Sequence, residues 1–575
     1  MGTGHLQFAT QPANSVAESP SVDSDSARIR GLTVGAKALL AALSGVLACL
    51  SFPSYSLTPL IFIAFVPLLV AVSHRPPTDP SIRLHWARRL RGTGFALGWL
   101  TGAVGHGLAF RWALPTIARF EHISTLAALP FFALFIGYYA LQVALFAAGV
   151  AWVAGRRPLA HSAPSTDHSP MVFVATWWVL LEWAFPKLIP WSLGDTLAGS
   201  AILRQGADVA GVYGLSFFVM LVNASVAETL TRVGAPLARR LRPLGAGVAL
   251  VGVAMVYRAV RVHQFNGRGD GSFARTQVAE EARRDPTIAI VQGGLHSGRD
   301  DLVPANEEAW ATYSSLSSRL SAPPTLIVWP ETVLRVYLRQ DDLFRRRVSD
   351  LVERLQRPLF LGSLDLPAGT SGELNSGYLV SPGSAMQIYH KQTLTPFGEY
   401  VPGIRLLPWL SRWRTTGRFV PEENRPQVLT LVADSVSGST DGSLPDEHEP
   451  RTRVTRFAPS ICFEAVWPGA FNGMVREGAA FLINLTDDGW FGEGAEPYQH
   501  LQAATLRAVE TRRWLVRASN SGVSAFIDPT GRIVASLPLG AVGVLRHQIE
   551  LSQVLSPYVR FGNWFVVVCV VVDVV

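Results

Sequence analysis

Residues 458–464 read Ala-Pro-Ser-Ile-Cys-Phe-Glu, a short apolar run that ends on Cys462 with Glu464 two residues further on. A bounded apolar run of this length predicts a buried strand, Ala458–Cys462. A thiol at such a strand end stands where layered α/β domains gather their reacting groups. If the strand continued, Glu464 would share the thiol's face, since residues i and i+2 of a strand point the same way. Outward from this point, Ile288–Val291, Leu326–Trp329, Leu359–Gly362, Gly377–Val380, Met386–Tyr389 and Phe481–Leu485 also predict strands. Glu307–Leu320, Leu343–Leu355 and Gln499–Leu515 predict helices between them. The alternation specifies a layered α/β domain over residues 287–556. Residues 433–453, dense in Ser, Gly, Asp and Glu, form a solvated loop inserted into it.

The first half of the chain has a different composition. Of 575 residues only 16% are charged, and 50 Lys+Arg against 43 Asp+Glu leave a net charge of +7. A basic surplus can signal nucleic acid, but here it accompanies nearly uncharged runs, which argues for a membrane and against a nucleic-acid partner. Seven such runs follow one another: Ala36–Phe52, Leu57–Ser73, Gly94–Phe110, Ile123–Gly155, Ser169–Leu181, Val209–Ala227 and Pro243–Tyr257. They leave no polar faces to meet water, so residues 35–262 are expected to be a transmembrane helical domain of about seven spans. Residues 1–34 read as a disordered tail and 263–286 as a polar linker.

Arginine placement orients the stack. Connections after the second, fourth and sixth runs carry Arg75, Arg83, Arg88, Arg89, Arg91, Arg156, Arg157, Arg232, Arg239, Arg240 and Arg242. The alternate connections carry Arg111, Arg119, Lys187 and Arg204. This bias puts the tail in the cytoplasm, and an odd number of spans then delivers the α/β domain to the outer face. A last apolar stretch, residues 557–575, is a C-terminal transmembrane segment whose final 15 residues would rise only about 22 Å, short of a hydrocarbon core of about 30 Å. Either the chain continues or that segment spans poorly.

Two residue types are scarce enough to be informative. Lysine occurs only as Lys37, Lys187 and Lys391, and only the last lies in the outer domain. Lysine supplies a compact charge whose pKa can be tuned, where arginine remains protonated throughout. Cysteine occurs as Cys49, Cys462 and Cys569, too few for a disulfide framework, and the first and last fall in membrane runs, where a small apolar filler is expected. Glu331 ends the apolar run Leu326-Ile-Val-Trp-Pro-Glu331, where partial desolvation would raise its pKa and make it a better base. Glu399 follows Lys391 by eight residues in Lys391-Gln-Thr-Leu-Thr-Pro-Phe-Gly-Glu399. The outer-domain histidines, His390 and His500 among them, show no ligand-like pairing, so neither metal nor cofactor is expected.

Together, Trp329-Pro-Glu331, Tyr389-His-Lys391 with Pro396-Phe-Gly-Glu399, Ile461-Cys462-Phe-Glu464 and Asn484-Leu-Thr-Asp-Asp-Gly-Trp490-Phe-Gly resemble the motifs of the nitrilase superfamily in family order. A membrane unit placed before the domain, with Pro190-Trp191 and Gly211-Val-Tyr-Gly-Leu-Ser-Phe-Phe, resembles the apolipoprotein N-acyltransferase branch. The resemblance implies a multi-span α-helical membrane domain plus an α/β nitrilase-like four-layer α-β-β-α sandwich. It implies a catalytic triad of Glu331, Lys391 and Cys462, supported by Glu399, Glu464 and Asn375. Trp490, Phe397, Phe463 and Trp413 would line or cover the substrate site, with Trp409 and Phe419 as further apolar candidates. The implied partners are a phosphatidylethanolamine-like phospholipid as acyl donor and a diacylglyceryl apolipoprotein as acceptor, at the bacterial inner membrane. Phe463 stands where many members have tyrosine, and Gly294–Asp300 lacks a tryptophan that some have. The rival readings are a membrane-tethered amidase using the same triad and a non-catalytic scaffold.

Overall fold

A computed structural model describes residues 32–53, 55–73, 80–156, 170–232, 236–266, 285–296, 301–367, 369, 372–400, 419–422, 425–433 and 453–574. Most of the tail, the linker and the inserted loop therefore lie outside the described residues, as do Trp409 and Trp413.

Each of the seven apolar runs lies on helix: Val34–Leu50, Thr58–Val72 (broken at Phe65), Pro80–Ala109, Thr125–Arg156, Pro170–Ala184, Ala207–Thr231 and Leu237–Asn266. Among the described residues, Thr125–Ala154, Leu203–Thr231 and Arg240–Arg261 are long and apolar enough to cross a membrane, and four shorter apolar helices accompany them. Apolar surface gives these helices little reason to associate in lipid, so close backbone packing must do it. Gly94, Gly98 and Gly102 recur every four residues and lie directly against Ala140, Val143, Ala144, Ala147 and Ala151 of the neighbouring helix. A Cβ on Gly98 would overlap the Val143 carbonyl oxygen.

The α/β domain is two facing sheets. Strands β1 (Thr287–Gln292), β2 (Leu326–Val328), β3 (Leu334–Tyr337), β4 (Leu359–Asp365), β5 (Leu374–Val380) and β6 (Gln387–His390) form one sheet, completed by β13 (Gly543–Gln548). Its order is β13-β1-β2-β4-β5-β6, with β3 also on β4. Strands β7 (Leu429–Ala433), β8 (Arg453–Ile461), β9 (Phe481–Thr486), β10 (Leu515–Ser519), β11 (Ser524–Ile527) and β12 (Ile533–Leu537) form the other, in the order β12-β11-β10-β9-β8-β7.

Strand alternation sorts the side chains into layers. Ile288, Ile290, Leu326 and Val328 face Phe457, Ile461, Phe481 and Ile483 between the sheets. Val291, Ile327 and Trp329 turn outward under the helices Leu302–Ser318 and Asp342–Leu355. On the far side, Ala458 and Leu482 pack under Asn472–Arg476 and Glu496–Thr511. The result is the expected α-β-β-α sandwich.

Two local expectations are corrected. The strand holding the nucleophile candidate stops at Ile461, and Cys462 opens a 3-10 turn with φ 50°. Leu515 is not helical: the helix ends at Thr511, Arg512 turns left-handed at φ 54°, and Leu515 begins β10.

The helical unit and the sandwich are joined through buried polar contacts. Gln499 donates to the carbonyls of Pro53 and Ala109, each at 3.0 Å, and accepts from Trp112 Nε1 at 2.9 Å. Arg204 donates to the Thr530 carbonyl at 2.7 Å. Gly211 has φ 65°, and a Cβ there would lie 2.5 Å from the Tyr558 ring, so only glycine fits this crossing. Among the described residues, these contacts come from the ends of the connections after the first, third and fifth runs, the arginine-poor set.

Candidate active site

Three strand ends deliver the triad to one buried point. Glu331 follows β2, Lys391 follows β6, and Cys462 follows β8 in the opposite sheet. All three are buried. Lys391 Nζ lies 3.3 Å from Glu331 Oε1 and 2.9 Å from Glu399 Oε2. Asn375 on β5 donates to both carboxylates, at 2.8 Å to Glu331 and 3.0 Å to Glu399. The Asp487 N–H donates to Glu331 Oε2 at 3.0 Å, fixing the carboxylate from the far side. Glu331 and Thr486 both lie close enough to the Cys462 thiol to act on its charge.

Glu464 does not sit beside the thiol on a continued strand. Its Oε1 accepts from the N–H groups of Gln392 and Thr393 at 2.6 and 3.0 Å, and its Oε2 accepts from Ile461 N–H and Tyr389 O–H at 2.7 and 2.8 Å. One carboxylate thus ties the turn that carries Lys391 to the strand end that carries Cys462. Charge-assisted bonds of this number make a rigid strut between the sheets.

The electrostatics follow from burial and the excess of carboxylates. Burial pushes Glu331 above the usual carboxylate value, and Glu399 adds to this while Lys391 opposes it. Lys391 moves up too, because Glu399 and Glu331 together outweigh its desolvation. Burial and Glu331 raise the Cys462 thiol well above its usual value, against the pull of Lys391. The resting site therefore holds a protonated lysine, a neutral thiol and a carboxylate suited to removing its proton.

The chain matches two family profiles, the apolipoprotein N-acyltransferase N-terminal domain over residues 44–225 and carbon-nitrogen hydrolase over residues 287–556. The apolipoprotein N-acyltransferase of Geobacter metallireducens is 30% identical over 546 residues, covering 92% of this chain and 93% of that one. That of Bradyrhizobium diazoefficiens is 30% identical over 549 residues, covering 92% of each. The chain belongs to the apolipoprotein N-acyltransferase family. It is therefore an acyltransferase of lipoprotein biosynthesis, and the tethered amidase reading has no better support. A Saccharomyces cerevisiae member of the nitrilase superfamily aligns at 17% identity and TM-score 0.33, covering 48% of this chain and 93% of that one.

The apolar candidates occupy different places. Phe463 is buried, with its ring 5.8 Å from that of His500. Phe397 projects from the turn beside Glu399, 53% exposed and at φ 63°. Trp490 stacks on Phe120 of the helical unit at 5.5 Å and lies under Arg335 at 5.3 Å. Phe419 bridges to Glu373 at the rim of β5.

Four residues around the thiol were not singled out from the sequence: Asn484, Thr486, Asp488 and His500. Only the Asn484–Trp490 motif touched three of them. The reading that the histidines lack pairing is corrected at His500, which lies with Asp488 and Glu496 in one buried cluster. That cluster does not fit a metal, because Arg517 donates to both Asp488 oxygens at 2.9 and 2.7 Å.

Proposed function

We propose that this acyltransferase moves a fatty acyl chain from a phosphatidylethanolamine-like phospholipid onto the α-amine of an N-terminal S-diacylglyceryl cysteine, through a thioester on Cys462. Glu331 takes the thiol proton, and the thiolate attacks the ester carbonyl. Lys391 and the Phe463 N–H, in the first turn of its 3-10 helix, would stabilise the oxyanion, at about 3 kcal/mol per donor. Collapse expels the lysophospholipid, whose alkoxide takes the proton from Glu331. The acceptor amine then attacks the thioester and gives a proton to Glu331. Departure of the thiolate completes the amide, and the proton returns to sulfur.

The observation that carries this reading is the convergence of Glu331, Lys391 and Cys462 in a buried site roofed by the helical unit. Phe120 and Trp112 of that unit pack on Trp490 and Phe491, directly after the Asp487 amide that holds Glu331. Such a junction keeps water, the competing nucleophile, away from the thioester and leaves lipid as the neighbour. Bound to the arginine-poor ends of the helices, the sandwich belongs on the outer face of the inner membrane, with residues 35–262 as its seven-span anchor. We assign residues 557–575 to the same anchor. Helix Trp564–Val574 packs on Pro170–Ala184, and Thr176 donates to Asp573 at 2.6 Å.

Purified enzyme incubated with acyl-labelled phospholipid should trap label as a hydroxylamine-sensitive thioester on Cys462. A diacylated lipopeptide should then discharge it as a triacylated product. Persistence of that thioester in Cys462→Ser would overturn the nucleophile.

A pH dependence follows from the shifts. The acylation rate should fall on the acid side as Glu331 is protonated, with a midpoint above the usual carboxylate value because its pKa is raised. No alkaline loss is expected from Lys391 or Cys462 until beyond their usual values, since both are raised. Pre-steady-state acylation rates against pH check this; an acid limb centred below the ordinary glutamate range would refute it.

A further inference from the structure

Cys462 occupies a strained conformation that something must hold. At φ 50° it lies in the left-handed region, which costs a non-glycine residue about 1 kcal/mol or more. Its own carbonyl is gripped by two side chains, Asn484 Nδ2 at 3.2 Å and His500 Nε2 at 3.1 Å. The other ring nitrogen of His500, Nδ1, lies 3.0 Å from Asp488 Oδ1. Asp488 in turn accepts from both Arg517 and the Thr486 hydroxyl, and Thr486 lies beside the thiol. Every member of this network is buried.

Both nitrogens of His500 thus face oxygens that can only accept. Loss of either proton would set a lone pair against an oxygen at 3.0 or 3.1 Å. Burial first, and the Arg517 cation with it, lower the ring's pKa below the usual histidine value, although Asp488 and the Cys462 carbonyl oppose this. A single proton on Nε2 is enough for the bond to the Cys462 carbonyl. Glu496, whose own carboxyl burial holds well above the usual value, lies 3.8 Å from Nδ1.

We infer that His500 is a positioning residue for acyl transfer: its Nε2–H holds the Cys462 carbonyl, and so keeps the nucleophile turned toward Glu331 and Lys391. His500 touches neither substrate nor the sulfur. It acts through the peptide that carries the thiol, with Asp488 setting the ring's orientation from behind, as the outer partner of a histidine usually does. The inference rests on Cys462 being the acyl carrier.

Two substitutions separate the ring's two contacts. His500→Gln places an amide donor near the Nε2 position and keeps the bond to Cys462. His500→Asn places its donor near Nδ1 and keeps only the bond to Asp488. Full-length enzyme in detergent is given acyl-labelled phospholipid, and the single-turnover rate of thioester formation is followed together with its dependence on lipid concentration. The expected result is a loss of up to about 5-fold in His500→Gln and of about 30-fold or more in His500→Asn. The loss should fall on the maximal rate, with half-saturation unchanged and the two variants melting at similar temperatures. A purely structural role would lower the melting temperature and move both variants alike. Equal rates in the two variants, or a wild-type rate in His500→Asn, overturns the inference. Failure of the wild-type enzyme to label on Cys462 overturns instead the reading on which it rests.

Discussion

Lys391→Met is expected to reduce thioester formation by at least about a thousandfold, more than loss of a single oxyanion donor would produce. The excess comes from what the lysine leaves behind. Glu331 and Glu399 share one Asn375 amide and one ammonium, and without the ammonium two buried carboxylates face each other. One of them must take a proton, and a protonated Glu331 cannot serve as base. Stripping a buried charge pair of one partner costs about 3–5 kcal/mol, so the variant should also melt lower.

The sign of the pH effect is fixed by the same geometry. In the wild type Lys391 is held above the usual lysine value, so its stabilising contribution is fully present at and below neutrality and does not change there. In the variant Glu331, already raised by burial and by Glu399, loses the Lys391 charge that opposes this, so stability falls as pH rises through its raised range. The gap in melting temperature between wild type and Lys391→Met should therefore widen from about pH 5 to about pH 8. A gap that is constant, or that narrows, would contradict the shared-cation arrangement.

The second large effect is expected at the junction of the two halves. Arg512 is fully buried and donates to Asp208 at 2.9 and 2.8 Å, to Gln205 Oε1 at 2.7 Å and to the Pro529 carbonyl at 2.9 Å. Arg512→Met removes this donor from all of them, though Asp208 keeps Arg261 and the Tyr257 hydroxyl, and the loss of the charged hydrogen bonds should cost about 1.5–3 kcal/mol. Arg345 pairs with Asp342 on an exposed helix, and Arg345→Met should shift stability by no more than about 0.5 kcal/mol. Because Asp208 and Gln205 belong to the helical unit, the loss at Arg512 should appear as faster hydrogen exchange along Ala207–Thr231 and β10. Equal exchange in the two variants would show that Arg512 does not hold the halves together.

The cluster of Glu331, Lys391 and Cys462 was legible because the chain uses lysine and cysteine so sparingly that Lys391 and Cys462 stand out by type alone. Glu331 was legible from the apolar run before it. The role of Glu464 was not, since its position depends on the backbone turning left-handed at Cys462, and nothing in Ile-Cys-Phe-Glu announces that turn. The same holds at Arg512, where a left-handed residue ends a helix that the apolar pattern carries on to Leu515. His500 looked like an isolated histidine because its partners lie 12 and 38 residues away and meet it only when the sheet closes. Arg507, Arg512, Arg513 and Arg517 drew no notice in the sequence, yet all are buried, and each donates to an oxygen far from it along the chain. Strands β11 to β13 escaped notice through short length and weak alternation, with β12 and β13 half-exposed.

Strand β13 pairs antiparallel along the whole of β1, from Thr287 opposite Gln548 to Gln292 opposite Gly543. The first strand of the sandwich thus waits for the last before its sheet is complete, with all of the triad encoded in between. The pairing brings together segments about 260 residues apart, a non-local contact of the kind that slows the folding of a sheet and makes its edge depend on both ends of the domain.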